Sequence, residues 1–133
     1  MDEVSVQVKV EVNPTEDVAK VRQAVENIFG GLPLEEKPQR RGCLLLARAK
    51  DVEGLSKFGY LLRRERIRDA ARGVLFQGLK ENTISFCLNK QVAYAGHVSF
   101  CDPVAESPLG PIKVKIKCNN PVKLIDWLAP RTV

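Results

Sequence analysis

The sequence predicts an α+β fold, a two-layer sandwich with helices packed on one face of a mostly antiparallel sheet. Two observations support this prediction. Some segments alternate apolar and polar residues with the period of a strand, whereas others repeat their apolar residues at helical spacing. Along the chain the elements follow the order β, α, β, α(α), β, β, β, α. The second face of such a sheet meets solvent, so the polar residues of its strands form a surface of functional interest.

The first segment, residues 4–12, alternates without exception between valine and a polar residue. This pattern predicts a half-buried strand. A helix is predicted next, with Thr15 as its cap and with Gly30 and Gly31 as its end. The apolar face of this helix consists of Val18, Val21, Val25 and Ile28.

Residues 30–42 are rich in glycine, proline and charged residues, and we expect them to form a mobile loop. The 29 residues before this loop are too few to fold alone, so the loop divides two parts of one domain that spans residues 1–133. A strand over residues 43–50 follows, and Asp51 is the expected cap of a second helix. A third helical segment, residues 65–78, is either continuous with the second helix or separate from it.

Three strands and a short helix complete the predicted fold. The strands are residues 83–88, 97–101 and 111–118, and the helix has Asn120 as its cap. Eight residues separate Leu88 from His97, and they contain no Asn-Gly or Asp-Gly turn signal. We therefore expect a short helical or irregular crossover here rather than a tight hairpin.

Composition indicates a basic, folded protein. The chain has 133 residues, of which 44% are hydrophobic and 28% charged, and this balance excludes a disordered chain. The net charge is +5, and residues 67–133 hold nine basic against five acidic residues. Such a balance permits binding to polyanions without requiring it. The start lacks the features of a signal peptide and no stretch is long enough to span a membrane, so we expect a cytoplasmic protein without membrane contact.

The cysteines give no sign of a metal site. Cys43, Cys87, Cys101 and Cys118 form no CxxC pair, and His97 is the single histidine. We expect reduced thiols, no metal and no cofactor. If strands 83–88 and 97–101 are antiparallel neighbours, Cys87 and Cys101 share the outward face and a cross-strand disulfide is geometrically conceivable. His97 and Cys101 lie about 13 Å apart along one strand, too far for proton transfer, and we expect no enzyme.

The first candidate binding group is the lysine ladder, which we define as Lys113, Lys115 and Lys117. Strand geometry places the three side chains on one face, about 6.6–6.8 Å apart. That spacing is suited to the repeating phosphates of a nucleic-acid strand. The alternative is a solvated strand face, for instance at a sheet edge that lysines protect from pairing.

The second candidate is an arginine stripe. Arg64, Arg68 and Arg72 are spaced four residues apart and would share one face of a continuous helix. Guanidinium groups suit phosphate recognition. The alternative is a salt-bridged helix, because Glu65 lies three residues before Arg68 and Asp69 three residues before Arg72.

The third candidate is the polar run Asn89, Lys90 and Gln91. Its amides donate and accept hydrogen bonds beside a cation, which suits an anion or the edge of a base. The alternative is a connection whose polar side chains satisfy exposed backbone groups.

Four segments resemble a small uncharacterised archaeal protein family. They are VEVNPTEDVAKVRQAVENIF, LLRRERIRDAAR, ISFCLNKQVAYAGHVSF and SPLGPIKVKI. Members of that family have a fold similar to the large-subunit ribosomal protein that binds the five-S RNA, and they are described as RNA-binding proteins without an established reaction. The resemblance implies an α+β sandwich and RNA as a partner. It supplies no catalytic residues.

These observations lead us to expect a non-catalytic RNA-binding or RNA-associated domain. The lysine ladder and the arginine stripe would contact phosphates, with Lys90 and Gln91 nearer the bases. The alternative is a protein–protein interaction or structural module without nucleic-acid binding. A weaker alternative is an enzyme that places Asn89, Lys90 and Arg72 around an anionic substrate. One continuous positive surface would favour RNA, whereas dispersed and paired charges would favour the module.

Overall fold

Every strand pairing among the described residues is antiparallel in a computed structural model that describes residues 4–101 and 110–131. The strands are β1 (Val4–Val12), β2 (Leu34–Pro38), β3 (Cys43–Ala49), β4 (Leu79–Lys80), β5 (Thr83–Leu88), β6 (Phe100–Cys101) and β7 (Ile112–Cys118). The helices are α1 (Val18–Phe29), α2 (Ser56–Arg64), α3 (Arg68–Gln77), α4 (Lys90–Tyr94) and α5 (Pro121–Leu128), and a short 3-10 helix (Val52–Leu55) precedes α2.

The strands form one sheet in the order β2-β3-β1-β7-β5-β4. β6 pairs with β5 as well, next to Leu88, while β4 pairs with the opposite end of β5. β1 and β7 are therefore the central strands. Each described helix packs buried residues into one core with the apolar face of the sheet, which confirms the predicted sandwich.

The core lies between the helices and the apolar face of the sheet. The odd-even alternation of β1 and β7 buries their valines and isoleucines completely, and the polar residues between them stay on the other face. Phe58 of α2 stacks on Phe29 and Phe86, with ring centroids 5.7 and 5.4 Å apart. Phe100 meets Phe58 and Phe86 edge-on. This aromatic cluster joins α1 and α2 to the β5–β6 side of the sheet.

Helix α1 begins two residues later than predicted. Asp17, not Thr15, is its cap, and the Asp17 carboxylate accepts a hydrogen bond of 2.9 Å from the amide of Ala19. Thr15 lies instead in a turn in which the Glu16 amide donates a hydrogen bond to the Asn13 carbonyl. The Glu16 carboxylate also accepts from the Asn13 amide at 3.0 Å. The helix ends at Phe29, and Gly30 adopts a φ of 77°, as predicted.

The prediction of a loop over residues 30–42 is wrong for its central part, because Leu34–Pro38 form the edge strand β2. Charged residues occupy both faces of β2, so the sequence shows no alternation there. The β2–β3 hairpin turns at Gly42, with a φ of 75°. A Cβ at Gly42 would lie 1.9 Å from the carbonyl oxygen of Val12, so only glycine fits.

The second and third helical segments are separate helices. Arg66 adopts a left-handed φ of 57°, which ends α2 and turns the chain into α3. After α3, Gly78 lies directly against β5, where Ser85 donates its amide to the Gly78 carbonyl at 3.0 Å. The short strand β4 follows and was not predicted.

The connection between β5 and β6 is helical, as predicted, and α4 occupies most of it. The predicted strand over residues 97–101 is shorter than expected, since only Phe100 and Cys101 pair with β5. The amides of the first two residues of the predicted strand have other partners. His97 donates to the Val92 carbonyl, and Val98 donates to the Glu65 carboxylate at 3.1 Å.

Candidate nucleic-acid interface

The lysine ladder lies on the face of the sheet opposite the core, which we call the open face. All three side chains are exposed, and Ile112, Val114, Ile116 and Cys118 alternate with them on the buried face. β7 is bordered by β1 and β5 along its length. The alternative of a protected sheet edge is therefore wrong, and the ladder lies in the middle of the sheet.

The cross-strand neighbours of the ladder contain no acid. On the β1 side, Lys113, Lys115 and Lys117 face Lys9, Gln7 and Ser5. On the β5 side they face Cys87, Ser85 and Thr83. Like charges directly opposite each other destabilise a sheet, whereas an opposite charge contributes about 0.2–1 kcal/mol. The pair of Lys9 and Lys113 therefore costs stability, and within the described parts of the chain no ion pair involves a ladder lysine.

Basic residues outnumber acidic residues on the open face. Alternation and register place seven basic strand residues there: Lys9, Lys37, Arg48, Lys80, Lys113, Lys115 and Lys117. The acidic strand residues on this face are Glu11 and Glu35. On β3, Leu44 and Leu46 lie on this face opposite Glu11 and Lys9, so the basic residues do not form one continuous surface. The excess of basic over acidic strand residues is the feature that favours a polyanionic partner.

A cavity of about 520 Å³ indents the open face. Its floor includes Lys9 and Gln7 of β1, Lys113 and Lys115 of β7, and Ser85 and Cys87 of β5. Val74, Gln77 and Gly78 form a wall at the end of α3, and Cys101 lies at the other side. The wall approaches the floor closely because Gly78 has no side chain: a Cβ there would lie 1.9 Å from the Ser85 carbonyl oxygen.

The arginine stripe does not exist as one surface. The break at residues 65–67 puts Arg64 on α2, whereas Arg68 and Arg72 are on α3. Arg72 pairs with Asp126 of α5 at 2.6 Å, donates to the Ala129 carbonyl and packs over the ring of Phe76. Its side chain is 15% exposed, so its guanidinium stabilises the α3–α5 contact.

The other arginines of the stripe belong to the helical layer too. Arg64 donates to the Gly96 carbonyl at 3.1 Å and pairs with Glu65 at 3.4 Å. Glu65 also accepts from the Val98 amide and lies 3.5 Å from His97. The structure thus shows Glu65 with Arg64, His97 and the Val98 amide. It shows Arg72 with Asp126. A phosphate contact from Arg68 stays a prediction.

Lys90 is buried, which contradicts its predicted contact with bases. The side chain is 4% exposed, and the ammonium donates to the Glu11 carbonyl at 2.7 Å and to the Glu16 carboxylate at 3.0 Å. Burial would raise the pKa of Glu16, but the hydrogen bond from the Asn13 amide and the bonds from Lys90 outweigh burial and hold that pKa below its ordinary value. This cluster fastens α4 to the β1–α1 corner.

The neighbours of Lys90 have different positions. The Asn89 side chain caps α4 by accepting from the Val92 amide at 2.9 Å, which is the backbone-satisfying role considered as the alternative. Gln91 is exposed, and a base contact from it stays a prediction. Asn89 has its partner within α4, Lys90 at Glu16 and Arg72 on α5. An enzyme that uses these three residues stays an untested alternative.

Sequence reasoning did not include Lys9, Gln7 and Arg48 among the candidate binding residues. Each is an ordinary polar residue in its own strand. Only the register shows that Lys9 lies opposite Lys113 and that Gln7 lies between Arg48 and Lys115. The available signal was the alternation itself, because β1 and β7 both place cations on their polar face.

Strands β5 and β6 are antiparallel neighbours, and Cys87 lies directly opposite Cys101. The cross-strand disulfide that this arrangement makes conceivable is not formed. Cys101 is partly exposed, whereas the other three cysteines are buried. Burial raises the pKa of the Cys43 and Cys118 thiols, so they are poorly reactive.

Across residues 4–101 and 110–131, no group of His, Cys, Asp and Glu has the arrangement of a metal site. No helix in these residues is long and apolar enough to cross a membrane.

Comparisons with known proteins agree on one family. A family profile described as RNA binding matches residues 5–118. A UPF0201 protein from Pyrobaculum islandicum is 48% identical over 124 residues, 92% of this chain and 87% of its own. One from Sulfurisphaera tokodaii is 48% identical over 125 residues, 94% and 86% of the two chains.

Solved structures share the fold. The crystal structure of the UPF0201 protein from Methanococcus jannaschii has a TM-score of 0.84 and 37% identity, and the match covers 95% of this chain and 99% of that one. Mth689 from Methanothermobacter thermautotrophicus, a DUF54 protein, has a TM-score of 0.67 over 96% of this chain and 99% of its own. At 20% identity, this second likeness concerns the fold alone.

Proposed function

The chain belongs to the archaeal UPF0201 family, and we propose that it is a non-catalytic RNA-binding protein whose open face contacts phosphates. The RNA-binding profile that matches most of the chain supports the class of partner. A likeness to the ribosomal protein that binds the five-S RNA stays a prediction. The open face, rather than the arginine stripe, is the surface that we assign to the RNA.

One observation supports the open face above all others: a row of lysines in a central strand with no acid directly opposite on either neighbouring strand. A solvated face that served stability alone would gain from an acid at the position of Lys9. Phosphates on a bound strand would instead supply the missing negative charge. Lysines spaced about 6.6–6.8 Å apart along one strand can each contact a separate phosphate.

A salt titration of RNA affinity tests this proposal. Log affinity falls with log salt by about 0.7 for each phosphate contact on a single strand. The triple change Lys113→Ala, Lys115→Ala and Lys117→Ala should therefore flatten the slope by about 2. Affinity should fall strongly at low salt and weakly at high salt.

The matched control removes three lysines from the helical layer. Lys20, Lys57 and Lys123 are exposed on α1, α2 and α5. Their replacement by alanine changes the net charge equally but should leave the slope near its wild-type value. If both triple variants flatten the slope equally, the open face is not the interface. If the wild type binds no RNA more tightly than about 10⁻⁴ M at low salt, the alternative of a module without nucleic-acid binding is favoured.

A further inference from the structure

We propose that the cavity on the open face takes one unpaired nucleotide of a bound RNA strand, so that the ligand class is single-stranded rather than duplex RNA. This inference rests on the proposed function and extends it. Phosphate contacts position a nucleic acid, whereas contacts to the base edge distinguish one base from another. The lysine ladder alone supplies only the first kind, and the cavity supplies groups for the second.

The size and position of the cavity suit a nucleotide. Its volume of about 520 Å³ lies in the range of about 300–1,000 Å³ that small-molecule sites occupy. Two rows of the sheet form its floor. One row runs Lys9, Lys113, Cys87 and Cys101, and the next runs Gln7, Lys115 and Ser85.

The side chains divide into charged and neutral groups. Lys9, Lys113 and Lys115 provide cations for the phosphates that flank a nucleotide. Gln7 and Gln77 provide amides that both donate and accept, and Ser85 provides a hydroxyl. Val74 and the partly exposed Cys101 offer apolar contact for the face of a ring. A simple anion would use the cations but leave the neutral groups without a partner.

The wall at the end of α3 selects against a duplex. Val74, Gln77 and Gly78 stand beside the floor at the β5 side of the sheet, where Gly78 brings α3 against Ser85. A duplex keeps its bases stacked and paired, and its deep major groove is closed to side chains. An unstacked base of a single strand can enter a cavity and present its edge to the amides.

The experiment measures affinities for four single-stranded 12-residue homopolymers and for a 12-base-pair RNA duplex. The wild type should bind the single strands at least about tenfold more tightly than the duplex and should rank the four bases. The double change Gln7→Ala and Gln77→Ala should reduce the largest difference among bases by about tenfold, as expected for loss of an amide contact to a base edge. Both residues are neutral, so the salt slope should stay the same.

The control double change is Gln23→Ala and Gln39→Ala, outside the cavity lining, on α1 and in the β2–β3 turn. It should leave the base ranking unchanged. A second experiment blocks the cavity with a bulky chemical group. Cys101 is the one partly exposed cysteine among the four, so a bulky maleimide should modify it and abolish the base ranking while the salt slope persists. The Cys101→Ser variant should resist this treatment.

The outcomes separate the two proposals. RNA that binds with equal affinity as duplex and single strand, an absent base ranking, or a ranking that the Gln7 and Gln77 changes leave intact would overturn the cavity assignment. Each of these results leaves the open face as a phosphate-binding surface. Absence of RNA binding at low salt removes both proposals together.

Discussion

At the scale of the residue, burial decides what each lysine does. The ladder lysines have exposed side chains on a strand face, and their charge is available to a partner. Lys90 is enclosed by the Glu11 carbonyl and the Glu16 carboxylate, and its charge serves the fold. The sequence could not separate these cases. A five-residue helix is too short for its periodicity to show which side faces inward, and Lys90 has polar residues on both sides in the chain.

We expect the Lys90→Met change to reduce the free energy of unfolding by about 3–5 kcal/mol at pH 7, because it leaves the Glu16 carboxylate without its buried cation. The stability that Glu16 gains from its lowered pKa is fully present above the pKa of the unfolded state. It is lost as pH falls through the lower pKa of the folded state. The difference between wild type and Lys90→Met should therefore shrink below about pH 4.

Urea denaturation at a series of pH values measures this effect. Lys20→Met is the control, because Lys20 is an exposed lysine on the neighbouring helix α1. That change should alter stability by less than about 0.5 kcal/mol. RNA affinity of Lys90→Met, measured where the variant is folded, should match the wild type. A selective loss of base discrimination would restore Lys90 as a base contact.

At the scale of the element, the sequence predicts what alternation and capping encode. β1, β5, β7, α1 and α5 follow from periodic apolar residues, and Asn120 caps α5 as expected. β2 and β4 are missed because main-chain pairing, rather than side-chain pattern, defines them. The predicted strand over residues 97–101 begins late because a distant residue intervenes: the Glu65 carboxylate accepts a hydrogen bond from the Val98 amide.

The junction of α3 with β5 gives a prediction that uses two glycines of the same segment. Gly78→Ala should reduce the free energy of unfolding by about 1–3 kcal/mol, because its Cβ would overlap the Ser85 carbonyl and move the wall of the cavity. Gly73 lies inside α3 with nothing within 4 Å of an added Cβ. Gly73→Ala should increase stability by about 0.5–1 kcal/mol. Thermal unfolding of the two variants measures both effects, and a stabilising Gly78→Ala would contradict the close packing seen there.

At the scale of the whole molecule, the two faces of the sheet divide the work. The apolar face and the helices hold the fold together, and seven basic strand residues lie on the open face. The sequence predicted the lysine ladder because one strand contains all three residues. It could not predict that Lys9, Gln7 and Arg48 lie close to the ladder, because that proximity depends on the register of three strands that are distant in the chain. The cavity depends further on α3, whose end reaches the open face only in the folded protein.

The facing lysines of β1 and β7 allow a last prediction, in which stability and binding move in opposite directions. Lys9→Glu places an acid opposite Lys113, so the free energy of unfolding should increase by about 0.5–1 kcal/mol. RNA affinity at low salt should fall by at least about tenfold, because the new carboxylate competes with phosphate for the ladder and repels it. Lys20→Glu changes the net charge equally from the helical layer and should leave affinity within about twofold of the wild type. Urea denaturation and an RNA titration of both variants measure the pair of effects.

A variant at Lys9 that gains stability and keeps its RNA affinity would show that the like charges serve another purpose. Loss of both stability and affinity would indicate that the register of β1 and β7 had changed.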